Sequence, residues 1–390
     1  MLDLQRQYAA IRPEVLAAIE RVCDSQHFIL GPEVEALEKE IAEFTGTGFA
    51  VGCASGTEAL WLALTGIGVQ PGDTVVTTAF SFFASASAIV RAGARPVLAD
   101  IDPATMNLDA GKVEAGLRGS GAGKVRAILP VHLYGQCADM DAMWRFTEEY
   151  GLPIIEDAAQ GIGAEWRGRR AGSLGTAAAF SFYPTKNLSA YGEAGMVTAH
   201  DPGLAERMRS LRSHGSSRRY FHEEIGWNGR MDAIQAAVLR VKLPHVEKWN
   251  TLRRERAATY DGLLAEAGLI ESGKAKNGRG LLTLGGPTRE TPVRLTGRHP
   301  LASHIFHQYV VRVRRREELR SFLGERGIAT EVYYPLPLHL QPCFAYLGYR
   351  EGDLPESERA AGEVMALPMF PELTADEQGW VVESMAEFYS

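Results

Sequence analysis

The sequence predicts an α/β fold: a mostly parallel central sheet with helices on both faces, joined to a smaller C-terminal α+β domain. Three observations carry this. Between residues 49 and 155, short β-branched or apolar runs alternate with helical stripes, the pattern of repeated β-α-β units. After 197 the alternation fades into one long helical stretch, 231–263. Beyond it, strand, helix and strand signals return in a shorter block. A chain of 390 residues suits two domains. The boundary is placed between a large domain, 1–243, which includes an N-terminal helical segment, and a small one, 244–390.

The elements follow in order. Ile11, Val15, Ile19 and Val22 share one helical face, and the helix is expected to end near Asp24. Val34, Leu37, Ile41 and Phe44 form a second stripe between Gly31-Pro32 and Gly46. Residues 49–54 read as a strand, and Ser55-Gly56-Thr57 opens an apolar helix with capping residues. Strands are then expected at 74–78, 96–101, 125–133 and 153–155, with helices at 84–92, 109–117 and 139–150 between them. Residues 119–123 read as a glycine-rich surface loop. Residues 177–182 read as a short buried strand that Pro184 ends, so Lys186 falls on the loop beyond it, and Gly192 and Gly195 open another apolar run. A helix at 204–211 and a polar, basic loop at 213–220 precede the long helical stretch, which Pro244 should kink. Residues 273–300 read as loops or short hairpins. Strand, helix and strand are expected at 306–313, 317–326 and 330–334, and helices at 357–366 and 374–387.

Composition narrows the function. Apolar residues make up 45% and charged residues 23%, with a formal net charge of −7, so no overall basic field invites nucleic acid or an anionic membrane. No apolar run approaches a bilayer span, and the N-terminus lacks an apolar signal core. Cys23, Cys53, Cys137 and Cys343 show no C-x-x-C pairing, which points to reduced thiols and a cytoplasmic protein. The first β-α unit lacks G-x-G-x-x-G, and the His and Cys residues lack metal-ligand spacing. A nicotinamide enzyme and a zinc site are both disfavoured.

The candidate chemistry lies at strand ends, where open parallel sheets bind ligands. A lysine beside a packed sheet loses solvation, which favours the free, nucleophilic amine. Lys186 is such a candidate for Schiff-base chemistry. A pyridoxal phosphate site also needs an acid at the pyridine nitrogen, a phosphate cradle and a flat group over the ring. Asp157, at the end of a buried strand, suits the first, although it would equally cap the next helix. Ser55-Gly56-Thr57 offers helix-end N–H groups, or an ordinary N-cap, and Ser181 adds a hydroxyl. Any of Phe80, Phe82 and Phe83 would stack or simply fill the core, and Gln160 lies three residues past Asp157.

The order of motifs resembles the DegT/DnrJ/EryC1/StrS family of nucleotide-sugar aminotransferases. It runs through Phe28-Ile29-Leu30-Gly31-Pro32, Ser55-Gly56-Thr57-Glu58-Ala59-Leu60 and Glu156-Asp157-Ala158-Ala159-Gln160. It continues through Ser181-Phe182-Tyr183-Pro184-Thr185-Lys186-Asn187-Leu188, Asn228-Gly229-Arg230-Met231-Asp232 and Tyr334-Pro335-Leu336-Pro337-Leu338-His339. The resemblance implies an aspartate-aminotransferase-like fold of type I and pyridoxal 5′-phosphate as cofactor, cycling through pyridoxamine 5′-phosphate. It implies Lys186 as the Schiff-base lysine and proton carrier, Asp157 at the pyridine nitrogen, Gln160 at the ring hydroxyl and Phe82 over the ring. Gly56, Thr57 and Ser181 would hold the phosphate. Asn228 would reach the phosphate in a neighbouring subunit, implying a homodimer with shared sites. Arg230, Tyr334 and His339 are substrate-contact candidates, and Arg218 and Arg219 are candidates for a diphosphate. The family branch that carries histidine at the lysine position dehydrates instead, so Lys186 implies transamination. The expected reaction is amination of a dTDP- or UDP-linked keto sugar at C3, as in members most similar over 333–349, with glutamate as amino donor. Amination at C4, and a catalytically silent regulatory homologue, are the alternatives.

Overall fold

The structure, a computed structural model, describes residues 1–119, 124–271 and 286–390. The glycine-rich segment 120–123 and residues 273–285 of the expected loops at 273–300 lie outside the described residues.

Among the described residues, seven strands form the central sheet: β1 (Phe49–Cys53), β2 (Asp73–Thr78), β3 (Arg95–Ala99), β4 (Lys124–Leu129), β5 (Ile155–Asp157), β6 (Ala177–Ser181) and β7 (Gly195–Ala199). Their spatial order is β3-β2-β4-β5-β6-β7-β1, with parallel bridges from Ile128 to Ile154 and from Val131 to Asp157 joining β4 to β5. Only β7 runs against the rest, pairing antiparallel with both β6 and β1. The β-branched run of β2 is buried along its whole length, as a central parallel strand should be. Thr77 avoids an unpaired hydroxyl there by donating to the Leu129 carbonyl at 2.8 Å.

Helices α1 (Leu4–Ser25), α2 (Pro32–Thr45), α3 (Gly56–Gly66), α4 (Ala84–Arg91), α5 (Ala110–Gly119), α6 (Met140–Tyr150), α7 (Pro202–Leu211) and α8 (Ala233–Lys242) accompany the sheet. The predicted kink at Pro244 is a 3-10 turn, Leu243–His245, between α8 and α9 (Val246–Glu266). The expected boundary at 243/244 falls within that turn. The stretch 213–220, expected to be a loop, contributes to an exposed hairpin, Ser216–Arg218 with Phe221–His222.

A second, antiparallel sheet consists of β8 (Val293–Leu295), β9 (Tyr309–Val313) and β10 (Val364–Leu367). It is packed by α9, α10 (Arg316–Glu325) and α12 (Ala375–Tyr389) around Tyr260, Val311, Leu319 and Met385. Two expectations fail here. Residues 330–334 form no strand; only Glu331 bridges to Ala366. The helix expected at 357–366 is α11 (Pro355–Glu363), and the next four residues are β10. All four are fully buried, and an apolar run that short carries no periodicity to separate strand from helix.

A buried carboxyl ties the two halves together, and a buried guanidinium braces the smaller one. Asp100, just past β3, accepts from the Glu356 and Ser357 amides at 2.9 and 2.8 Å and from the Ser357 hydroxyl at 2.6 Å. Arg253 of α9 donates to the carbonyls of Phe306, His307 and Met369, each at 3.2 Å. Hydrogen bonds to a charged group contribute about 1.5–3 kcal/mol each, so the Arg253 guanidinium holds 306–307 and 369 against α9.

Candidate active site

The C-terminal ends of β5 and β6, the start of α3 and the segments 307–308 and 331–334 enclose a cavity of about 710 Å³. Its floor is a close packing of glycines. A Cβ on Gly56 would lie 2.5 Å from Ser181 Cβ, and one on Gly195 would lie 2.2 Å from the Ser55 carbonyl oxygen. Only glycine lets the N-terminus of α3 sit against β6 this closely. Ser55 caps the helix by accepting from the Glu58 amide at 3.2 Å. The free N–H groups and helix dipole face the cavity, an arrangement suited to a phosphate. Gly56→Ala should therefore push α3 off β6, lower stability by roughly 1–3 kcal/mol and weaken cofactor retention. Thermal melts and cofactor-binding titrations check both; an unchanged binding constant would contradict the assigned floor.

Asp157 is buried on one wall. Its Oδ2 accepts from Ser85 Oγ at 2.7 Å, and its Oδ1 accepts from the Ala159 amide at 3.2 Å. Ser85 is itself 2.8 Å from Ser81 Oγ. Burial raises the Asp157 carboxyl, while those donors and the Lys186 charge hold it down. It is therefore an acid poised to ionise fully once a cation adjoins it.

Lys186 stands half-buried on the cavity wall, and desolvation lowers its ammonium to about 8, with Asp157 opposing the shift. The free amine is the nucleophile. Capture of cofactor by the apoprotein should accordingly quicken as pH rises through about 8 rather than through 10.5. A pH–rate profile of capture checks this; a single inflection near 10.5 would show the lysine to be solvated.

Gln160 and Tyr334 form the next wall: Gln160 Oε1 accepts from the Tyr134 amide at 2.6 Å, and Gln160 Nε2 donates to the Tyr334 hydroxyl at 3.1 Å. Of the three phenylalanines, Phe80 is core, Phe83 stacks on Phe344 at 5.4 Å, and Phe82 is exposed at the cavity, 6.1 Å from the Tyr334 ring. The cavity thus brings together Gly56, Thr57, Phe82, Asp157, Gln160, Ser181, Lys186 and Tyr334.

Five predicted residues lie elsewhere. Asn228 is exposed and accepts from Arg230 Nε at 3.0 Å, and neither lines the cavity of its own chain. His339 is buried against Glu358, Nε2 to Oε1 at 2.9 Å, away from the cavity wall. Arg218 and Arg219 lie over the rings of Phe221 and Tyr220 on the exposed hairpin. Sequence reasoning missed Ser81, Ser85 and His307. Ser81, in the bend before α4, and Ser85, on that small-residue helix, carry no signal of their own, and His307 adjoins a strand far along the chain.

The DegT/DnrJ/EryC1/StrS aminotransferase family model matches residues 9–386. The chain is 50% identical over 389 residues to the pleiotropic regulatory protein of Geobacillus stearothermophilus, covering 100% of this chain and 98% of that one. It is 42% identical over 387 residues to the dTDP-3-amino-3,4,6-trideoxy-alpha-D-glucose transaminase of Streptomyces venezuelae, covering 99% and 95%. The crystal structure of S. venezuelae DesV in complex with a ketimine intermediate matches with a TM-score of 0.90 at 42% identity, covering 100% and 97%. The expected type I fold is met along the whole chain. Matching motifs, near-complete coverage and a shared architecture agree: the chain belongs to the DegT/DnrJ/EryC1/StrS aminotransferase family.

Proposed function

We propose that the protein is a pyridoxal-phosphate-dependent aminotransferase acting on a nucleotide-linked 3-keto sugar, with glutamate as amino donor. The observation that carries this is Lys186, a desolvated amine sharing one cavity with a buried Asp157 above a helix N-terminus. The name of the S. venezuelae relative supports amination at C3.

The residues present fit the cofactor. Gly56 leaves the space a side chain would fill, Thr57 and Ser181 supply hydroxyls beside it, and Asp157 can meet a protonated ring nitrogen. When bound, the cofactor supplies an electron sink that stabilises negative charge at the substrate's reacting carbon. Asp157, oriented by Ser85, maintains the positive charge of that sink. Lys186 Nζ, once free, accepts and returns the proton at the reacting carbon as general base and then acid; its lowered pKa favours both roles near neutral pH. Gln160 and Tyr334 hold one edge of the site, and Phe82 covers a face. We place Asn228 and Arg230 at the cavity of a second copy, in a cytoplasmic homodimer.

The test is the donor half-reaction: holoprotein with labelled glutamate should release labelled 2-oxoglutarate in stoichiometric amount. A second reading, a regulatory homologue without turnover, is favoured by the name of the G. stearothermophilus relative. Bound cofactor with no release of 2-oxoglutarate would support that reading.

A further inference from the structure

Three buried polar side chains run from α9 to the cavity wall, and the chemistry above uses none of them. They are Asn250, Asn187 and His307. Asn250 Nδ2 donates to the Ile162 carbonyl at 3.0 Å, and Asn250 Oδ1 accepts from Asn187 Nδ2 at 2.7 Å. Asn187 Oδ1 lies 3.0 Å from His307 Nδ1.

The polarity of this chain is set from its far end. A peptide carbonyl only accepts, so the Asn250 atom facing Ile162 must be the amide nitrogen. Asn250 then presents its oxygen to Asn187, which must answer with its own nitrogen. That leaves Asn187 Oδ1 toward His307, and His307 Nδ1 must carry the hydrogen. Burial keeps the imidazole neutral, as do the neighbouring charges of Lys186 and Arg253. Nε2 is left with a lone pair, on a ring that lines the cavity.

The charges around it point to the ligand chemistry. Among the described residues, the carboxylates on the cavity wall are Asp157, Glu193 and Glu331, and Lys186 is the one cation. Away from Lys186 and the start of α3, such a wall repels an anionic group and welcomes a neutral hydrogen-bond donor. We propose that His307 Nε2 is a specificity-determining acceptor for a hydroxyl on the substrate's sugar ring, with Asn187 and Asn250 as the positioning residues that fix its tautomer. This rests on the nucleotide-sugar reading above.

The experiment has two arms on the holoprotein. In ¹⁵N-histidine NMR, His307 should show a protonated Nδ1 and a bare Nε2, with no titration through neutral pH; a protonated Nε2 overturns the proposal. In the second arm, keto-sugar nucleotides with and without a hydroxyl beside the ketone are compared. His307→Phe should raise KM for the hydroxylated sugar about tenfold, and affect the deoxy sugar and the glutamate half-reaction much less. His307→Gln, which retains an acceptor, should restore most of that KM. An equal effect on both half-reactions, or none on either sugar, overturns the assignment. If neither sugar reacts with the wild-type protein, the ligand assignment falls with the reading it rests on, while the NMR arm still decides the tautomer.

Discussion

Lys186→Ala should abolish amino transfer, by a factor on the order of 10⁴ or more, and leave the fold standing. The loss combines the nucleophile with the proton carrier, and positioned acid–base catalysis alone is worth about 10²–10⁴-fold. The fold should survive because no side-chain hydrogen bond to Lys186 Nζ exists among the described residues, while burying its ammonium costs free energy. That penalty has a defined pH window. The folded pKa, about 8, lies below the ordinary 10.5. The penalty is full below about 8 and fades as pH rises towards 10.5, so wild-type stability gains over that interval. The variant should lack this gain and be at least as stable as wild type at neutral pH. Coupled turnover assays and melts across pH measure both. Normal turnover by the variant would remove Lys186 from the mechanism.

Asp157→Asn should lower kcat by about 10²–10³-fold, the usual effect of removing one preorganised charge at a reacting centre. The substitution retains the shape and an oxygen to accept from Ser85. What it removes is the negative charge that keeps the cofactor ring protonated. Cofactor retention should weaken as well, and the pH response of the bound cofactor's visible absorbance should shift. Those spectral changes separate a lost charge from a misplaced loop. A variant with wild-type kcat would place the ring nitrogen elsewhere.

Much of this architecture was legible in the chain. The parallel run from β1 to β6 announced itself through alternating strand and helix signals, and the motifs around Gly56, Asp157 and Lys186 fell at strand ends. The reversed direction of β7 did not show, because Gly195–Ala199 reads as an apolar run whichever way it points. β10 was hidden for a similar reason. The cavity's far wall was legible only in part: Tyr334 came from a motif, but His307 reaches the site through Arg253 and the Asn187–Asn250 chain. Those are contacts across 54–120 positions of sequence, which no local pattern encodes. His339 illustrates the converse. Its motif attracted notice, while its ring is occupied by Glu358.

The most direct test of the central claim is the acceptor half-reaction. Protein loaded with pyridoxamine 5′-phosphate is offered dTDP- and UDP-linked 3-keto and 4-keto sugars, and the return of the pyridoxal form is followed by its absorbance. The pyridoxal form should return with a 3-keto sugar, and that return should be lost in Lys186→Ala. Return with 4-keto sugars alone would contradict the C3 assignment, and no return with any sugar, cofactor still bound, would contradict the proposed reaction.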